Sequence, residues 1–350
     1  QHALEERRGE WSRLWKQTRQ WSIDAIYAVF KEMGIPIDVQ YYESDVLEDT
    51  KKIVKDLLRR GIAQMSQGAI IVDLEDEGLG ANLLVKTDGT HLYNAKDLAL
   101  AARKAAEYDL DRSIIVVDVR QSLALRQLFA TLKRMGGATP YEHLSYGFVT
   151  LPEGAMSSRM GNIVKYEDLR NALTAAAAKE TRARHEDWSE REVEEAAHAI
   201  AHAAMVFGMA KQDPNKDIVF DIDEAVAFDG VSGPYLLYTV SRTHSLMQKG
   251  GIKPAFGPEA VDSLEAVELV RVLARFPEVV RKAAGETALS DVPQYAFELA
   301  QQFSTYYGAA RIVDPENDRA TAARLALTQA VLITLENALR FMNISSLTRM

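Results

Sequence analysis

Three polar side chains, at positions 93, 97 and 121, are the first candidates for chemistry in this sequence of 350 residues. Tyr93 and Asp97 are four residues apart at the start of a predicted helix, so they can share one face. Gln121 follows a predicted buried strand. A phenol, a carboxylate and an amide in one pocket could bind a planar cation such as a guanidinium. Asp97 also has a structural explanation, since the helix dipole favours an acid three residues after a predicted Asn94 cap.

The second candidate is a loop over residues 151–162 that holds two glycines, two serines and one arginine. Such a loop, placed before a helix that begins near Tyr166, could grip a phosphate chain. An ordinary surface loop is the alternative. The central residues of the loop are Met156, Ser157, Ser158 and Arg159.

Other catalytic classes are excluded or disfavoured. His198 and His202 have the i, i+4 spacing of two metal ligands, but no glutamate lies between them as in a metalloprotease, which favours satisfied or exposed histidines. The absence of cysteine excludes disulfides, thiolate zinc sites and a cysteine nucleophile. The sequence contains no P-loop, no G-x-G-x-x-G and no G-x-S-x-G segment.

The amino-acid composition restricts the classes of partner and the cellular compartment that we expect. With 41 basic and 50 acidic residues the net charge is −9, which excludes a general polyanion-binding surface but leaves room for a local basic face. The longest apolar stretch, residues 196–210, is too short to span a membrane and contains two histidines. We therefore expect no membrane partner. The absence of cysteine fits a reducing compartment, and we expect the cytoplasm.

The first half alternates helices with strands. The run at 113–119 is apolar up to Asp118, as in a buried parallel strand. This order predicts an α/β doubly wound, Rossmann-like sheet, in which ligands bind beyond the carboxyl ends of the strands, where the three polar residues fall. The predicted helices are 11–33, 46–60, 94–108 and 122–135, and the predicted strands are 69–74, 83–86, 91–93 and 113–119.

The second half is predicted to be an all-α bundle. Ser189 and Glu192 form a capping box. Residues 218–228 are mixed and predict a short strand or hairpin. We therefore expect two domains, 1–185 and 186–350. The predicted helices of the second half are 189–209, 233–249, 259–275, 294–313 and 319–342.

Several segments of the first half, taken in order, resemble the class I arginyl-tRNA synthetases. The family's DGT-x-LY-x-x-x-D segment is similar to residues 87–97 (TDGTHLYNAKD). Its next strand and helix are similar to residues 116–121 (VVDVRQ) and 127–129 (QLF). Its KMSKS loop is similar to residues 146–149 (YGFV) with 156–162 (MSSRMGN).

The second half continues the resemblance. The GPYLQY…AR opening of the family's helical anticodon-binding domain is similar to residues 233–238 (GPYLLY) with 241–242 (SR), and the family's usual ending is similar to residues 344–350. The resemblance implies a partial class I catalytic domain, including the loop 151–162, followed by a DALR-like anticodon-binding domain.

The resemblance also implies roles. It implies an arginine–tRNA ligase that uses ATP with Mg²⁺, L-arginine and tRNA(Arg), and that acts as a monomer. Tyr93, Asp97 and Gln121 would hold the arginine side chain, and the loop from Met156 to Arg159 would close over ATP and stabilise the transferring adenylate. Candidates for contacts with tRNA phosphates are Arg242, Lys249 and Arg340.

The sequence also departs from the family pattern. The HIGH signature, which the family places upstream of residue 1, is absent, and the opening run without an N-cap predicts a part of a longer protein or a trimmed form. The usual histidine is replaced by Ala124, two loop lysines by Ala155 and Met160, and a glutamine by Leu237. These changes leave two alternatives open: a non-ligating paralogue that binds arginine or tRNA, and a tRNA-dependent enzyme with altered chemistry.

Overall fold

The computed structural model describes residues 9–152 and 165–350. The chain forms two compact units. The α/β unit comprises residues 37–148 and 214–217, and the described residues of the helical unit are 9–36, 149–152, 165–213 and 218–350. No described helix has the length and apolar character that crossing a bilayer requires.

The elements are numbered in chain order. The helices are α1 (Gly9–Glu32), α2 (Leu47–Arg59), α3 (Tyr93–Glu107), α4 (Ser122–Arg134), α5 (Tyr166–Arg184), α6 (Glu190–Ala210), α7 (Ile222–Val226), α8 (Gly233–Gly250), α9 (Leu264–Ala274), α10 (Phe276–Glu286), α11 (Asp291–Ala309) and α12 (Asp318–Phe341). The strands are β1 (Gln64–Ser66), β2 (Ala69–Asp73), β3 (Ala81–Val85), β4 (Ser113–Asp118), β5 (Tyr141–Tyr146), β6 (Val149–Thr150) and β7 (Ile218–Val219).

The α/β unit contains two separate sheets. Strands β1, β2 and β3 form an antiparallel meander, whereas β4 and β5 pair in parallel, with Ser113 opposite Tyr141 and Asp118 opposite Tyr146. The expectation of a single doubly wound sheet is therefore met by β4 and β5 but not by the earlier strands. The connection from β2 to β3 spans only residues 74–80, and a parallel crossover needs a dozen or more residues.

The start of α3 differs from the prediction. Leu92, not Asn94, is the N-cap residue, and no side chain caps this end. The Asn94 amide instead donates to Asn82 Oδ1 at 2.6 Å, and Asn82, which is fully buried, donates to Thr131 Oγ1 at 3.0 Å. The first turn of α3 thus contains no acidic residue, so the helix dipole does not explain Asp97.

A tight turn delivers the chain into α3. Gly89 has a φ of +80°, a conformation that glycine adopts without strain. The Asp88 carboxylate accepts the Thr90 N–H at 2.9 Å, which holds the pKa of Asp88 below its ordinary value. The strand predicted at 91–93 is reduced to one bridge between Val85 and His91, because Tyr93 already belongs to the helix.

The helical unit is built around a large apolar core that includes Phe207, Leu236 and Phe303, all fully buried. The predicted capping box is confirmed: Ser189 Oγ accepts the Glu192 N–H at 3.3 Å, and the Glu192 carboxylate accepts the Ser189 N–H at 2.8 Å. The helix predicted at 259–275 divides at Ser263, which caps α9 by accepting the Ala266 N–H at 3.2 Å. Helix α10 was not predicted.

The Gly-Pro pair at the start of α8 has a packing reason. A Cβ atom on Gly233 would lie 2.2 Å from the Ala203 carbonyl oxygen on α6. Ser232 caps the helix by accepting the Tyr235 N–H at 3.2 Å, and Pro234 lies in the first turn, where no N–H is needed. Only glycine therefore allows α8 to begin this close to α6.

Candidate functional site

The α/β unit contains a cavity of about 510 Å³ that is lined by residues of α3, β4, α4 and β5. Tyr93, Asp97 and Gln121, which the sequence singled out, all line this one cavity. Its size is within the range of small-molecule sites. The structure therefore brings together a phenol, a carboxylate and an amide from two separate stretches of the chain.

Local structure explains how each side chain reaches the cavity. Helix α3 carries Tyr93, Asp97 and Lys104 along the same wall, because these residues are four and seven positions apart. Gln121 ends a 3₁₀ turn that follows β4 directly. The Asp118 carboxylate starts this turn by accepting the Arg120 N–H at 2.9 Å. The site thus lies where β4 ends, as in other open parallel sheets.

Asp97 is the carboxylate available to a ligand. Among the described residues it makes no ion pair, although it remains accessible to solvent. The surrounding protein raises its pKa mainly by desolvation, with a smaller contribution from the negative charge of Glu43; Lys104 and Lys96 oppose the shift. A partly desolvated carboxylate without a bound cation is suited to accept one.

Asp118, the other carboxylate that lines the cavity, already has a partner. Its two oxygens accept hydrogen bonds from Arg120 Nε at 3.0 Å and Arg120 Nη2 at 3.1 Å. These bonds hold the pKa of Asp118 below its ordinary value. The Arg120 guanidinium also lies 4.5 Å from the centre of the Phe148 ring. The Asp118–Arg120 pair is therefore a structural feature of the rim.

The apolar lining of the cavity suits a methylene chain. Ile115 and Val117 line it from β4, and Tyr141 lines it from β5. Tyr141 stacks on Phe129 with 5.6 Å between ring centres, and burial raises its pKa. The neutral phenol packs as an aromatic wall.

The cavity lining also includes residues that were not among the predicted ligands. Lys104 lies seven residues after Asp97 on α3, a spacing that the helical period could have revealed. Tyr141 and Tyr146 line the cavity because β5 pairs with β4 in a particular register. No local sequence pattern predicts that register. Ala124, noted in the sequence as a departure from the family, also lines the cavity.

The predicted phosphate-gripping residues fall outside the described part of the chain. They are Met156, Ser157, Ser158 and Arg159.

The three candidates for tRNA contact have different surroundings. Arg242 lies 4.6 Å from the centre of the Tyr238 ring and 4.9 Å from that of Tyr307, and it donates to the Tyr238 hydroxyl at 2.6 Å. Lys249 is exposed in the last turn of α8. Arg340 is exposed in the last turn of α12 and lines a cavity of about 380 Å³ that includes neither of the other two.

The histidine pair has a structural explanation. His202 Nε2 donates to the Asn343 carbonyl oxygen at 2.9 Å, and His198 is exposed. Over residues 9–152 and 165–350, no group of three or more histidine, aspartate or glutamate side chains could hold a metal ion. The i, i+4 spacing therefore belongs to a packed helix.

Comparison with known proteins identifies both parts of the chain. The family model described as tRNA synthetases class I (R), catalytic domain, matches residues 2–222, and the DALR anticodon binding domain matches residues 236–350. The first match contains the α/β unit together with α1, α5 and α6 of the helical unit, and the second lies within the helical unit.

Curated relatives match almost the whole chain. The arginine–tRNA ligase of Bdellovibrio bacteriovorus is 37% identical over 345 residues, which cover 97% of this chain and 59% of that protein. The arginine–tRNA ligase of Ligilactobacillus salivarius is 34% identical over 347 residues, covering 98% of this chain and 61% of that protein. The chain thus spans less than two thirds of the length of these relatives.

A solved structure has the same fold. The Thermus thermophilus arginyl-tRNA synthetase superimposes with a TM-score of 0.85 at 26% identity, over 100% of this chain and 65% of that one. Together with the family match over residues 2–222, this likeness shows that the chain belongs to the class I arginyl-tRNA synthetase family.

Proposed function

We propose that this chain contributes to arginine–tRNA ligase activity, the ATP-dependent activation of arginine followed by transfer to tRNA(Arg). The observation that carries the proposal is the cavity in which Tyr93, Asp97 and Gln121 meet. The names of the curated relatives support it.

The arginine side chain lies in the cavity with its guanidinium against Asp97. A carboxylate accepts two parallel N–H bonds from a guanidinium, which fixes both distance and plane. The Gln121 amide oxygen accepts a hydrogen bond from the remaining edge of the guanidinium. The Tyr93 ring stacks against the face of the guanidinium. Ile115 and Val117 pack against the methylene chain. This arrangement selects arginine over lysine because a single ammonium does not match the planar fork.

ATP is the second substrate, and Met156, Ser157, Ser158 and Arg159 contribute to its binding. Support for this role comes from the similarity of residues 156–162 to the KMSKS loop. An arginine beside transferring phosphates stabilises the charge that develops there. Mg²⁺ enters with the ATP phosphates; since the described residues offer no metal-binding cluster, the proposal assigns the ion no protein ligand.

The helical part binds tRNA in this proposal. Lys249 and Arg340 are exposed and free to approach phosphates, whereas Arg242 would act through the aromatic pair that holds it. We retain 1–185 and 186–350 as the proposed domain division. We also propose a monomer located in the cytoplasm, on the basis of the family's part in protein synthesis.

A second candidate function is arginine or tRNA binding without ligation, as in a paralogue, or a tRNA-dependent reaction of altered chemistry. The observation that favours it is Ala124, which lines the cavity where the family pattern leads us to expect a histidine. Loss of a hydrogen-bonding side chain at that point removes a group able to orient the reacting atoms.

Two assays test and separate these functions. Calorimetric titration with arginine, lysine and the neutral isostere citrulline measures the pocket, and we expect binding of arginine alone. Arginine-dependent exchange between ATP and pyrophosphate measures activation. Exchange, by this chain or after a HIGH-bearing segment is supplied, supports the ligase. Binding of arginine without exchange even when that segment is supplied supports the second candidate, and failure to bind arginine refutes the pocket in both.

A further inference from the structure

Lys96 links two groups beside the cavity. Its ammonium lies 3.1 Å from Glu43 Oε2 and 5.5 Å from the centre of the Tyr93 ring. Lys96 follows Tyr93 by three residues on α3, so the two side chains are neighbours on the helix surface. The Lys96 side chain is only 19% exposed, and it does not line the cavity itself.

Tyr93 needs such a neighbour because packing alone does not hold its ring. It is the first residue of α3, and it is 70% exposed. A side chain that is free to change rotamer loses that freedom when a ligand binds, which weakens binding. A cation over one face of the ring attracts it electrostatically and favours one orientation.

Glu43 completes the arrangement from another element. It begins the 3₁₀ turn Glu43–Asp45, and its ion pair restrains the Lys96 ammonium. The ammonium thus has two partners that define its position, one carboxylate and one ring. Tyr93 itself lines the cavity.

We propose that Lys96, held by Glu43, is a positioning residue that orients the Tyr93 ring for binding of the substrate guanidinium. This inference rests on the proposed function and adds to it a residue that touches no substrate. Lys96 acts through Tyr93, and Glu43 acts through Lys96.

The competing explanation is that the Lys96–Glu43 ion pair is a structural latch, a contact that only holds the segment of Glu43 against α3. The chain offers a matched control for this explanation. Arg103 ties the same segment to α3 without touching Tyr93: its guanidinium lies 3.3 Å from Asp49 and donates to the Asp45 carbonyl oxygen at 3.3 Å. Loss of Arg103 weakens the latch and leaves the ring contact intact.

The test is a double-mutant cycle on arginine affinity. It is measured by calorimetry at about pH 8, where ordinary and moderately shifted carboxyl groups are ionised. An exposed cation–π contact predicts that Lys96→Met weakens binding about two- to fivefold. Lys96→Arg retains the affinity, and Glu43→Gln weakens it in the same direction. In a Tyr93→Leu background, Lys96→Met has no further effect. Arg103→Met lowers the melting temperature without changing the affinity.

Two results overturn the inference. If Lys96→Met weakens binding by the same factor with and without Tyr93, Lys96 does not act through the ring. If Arg103→Met weakens binding as much as Lys96→Met does, the latch accounts for both.

A measurement without ligand separates this inference from the proposed function. In NMR spectra of protein with labelled tyrosine, the ring signals of Tyr93, assigned by Tyr93→Leu, shift in Lys96→Met and not in Arg103→Met. Unchanged ring signals in Lys96→Met refute the positioning role. If the wild-type protein binds no arginine but the Tyr93 ring signals still shift in Lys96→Met, the proposed function is refuted. The effect of Lys96 on the orientation of the Tyr93 ring then still stands.

Discussion

Replacing Asp97 with asparagine separates ligand binding from stability. The substitution removes the charge that accepts the guanidinium and keeps the shape of the side chain. Because Asp97 is only partly shielded from solvent, loss of its charge-assisted hydrogen bonds costs about 1.5–3 kcal/mol, so we expect arginine affinity to fall about 10- to 140-fold.

The same substitution has the opposite effect on the stability of the fold. The pKa of Asp97 in the folded protein lies above the ordinary value of 3.8, so the folded state holds this proton more tightly than the unfolded chain does. Stability therefore falls as the pH rises from 3.8 through the raised pKa and then levels off. At neutral pH the ionised carboxyl destabilises the fold, and Asp97→Asn should leave the melting temperature unchanged or raise it.

Asp118→Asn is the matched control, because it makes the same chemical change in the same cavity. The pKa of Asp118 is lowered by Arg120, so its ionised form stabilises the fold at neutral pH, and that contribution is lost as the pH falls through the lowered pKa. We expect a lower melting temperature with most of the arginine affinity kept. Calorimetry and thermal unfolding measure both variants. An Asp97→Asn variant that binds arginine as well as wild type would refute the reasoning.

Further predictions concern pH and packing. Arginine binding should weaken as the pH falls through the raised pKa of Asp97, before an ordinary aspartate would protonate, which titrations across pH measure; an affinity that stays flat down to 3.8 contradicts this. Gly233→Ala places a Cβ 2.2 Å from the Ala203 oxygen and should destabilise the helical unit by about 1–3 kcal/mol or more, seen in thermal unfolding. Asn82→Ala removes two hydrogen bonds, one from the part-buried Asn94 amide and one to the buried Thr131 hydroxyl, and should cost about 1–3 kcal/mol in all; an unchanged denaturant midpoint would contradict the network. Arg349→Ala removes a cation 4.9 Å from the centre of the Trp188 ring and its ion pairs with Asp187 and Glu192, and it should lower stability by about 0.5–1.5 kcal/mol in the same denaturation; an unchanged midpoint would contradict a stabilising role for these contacts.

Local patterns in the sequence predicted much of the helical unit. The capping box at Ser189, the helix predicted at 319–342 and the short strand at β7 all depend on residues within a few positions of one another, and all are present. The break at Ser263 and the separate helix α10 were missed, since a continuous helical period hides a short interruption.

The three candidate ligands could be chosen from residue types and spacing, because Tyr93 and Asp97 share a helix face and Gln121 directly follows a strand. Their meeting around one cavity could not be derived from either segment alone. The role of Asn94 was predicted wrongly for a related reason: its partner Asn82 lies in β3, and a buried amide favours that bond over a local cap.

The order of residues along this chain determined its helices, its turns and the chemistry available to it, because those depend on interactions between near neighbours. The folded structure alone decided which carboxylate is available. Asp97 and Asp118 line one cavity with the same functional group, but Asp118 pairs with Arg120, whereas Asp97 is partly desolvated and no described cation pairs with it. That difference comes from side chains brought together across sheet and helix, and desolvation and ion pairing depend on such distances.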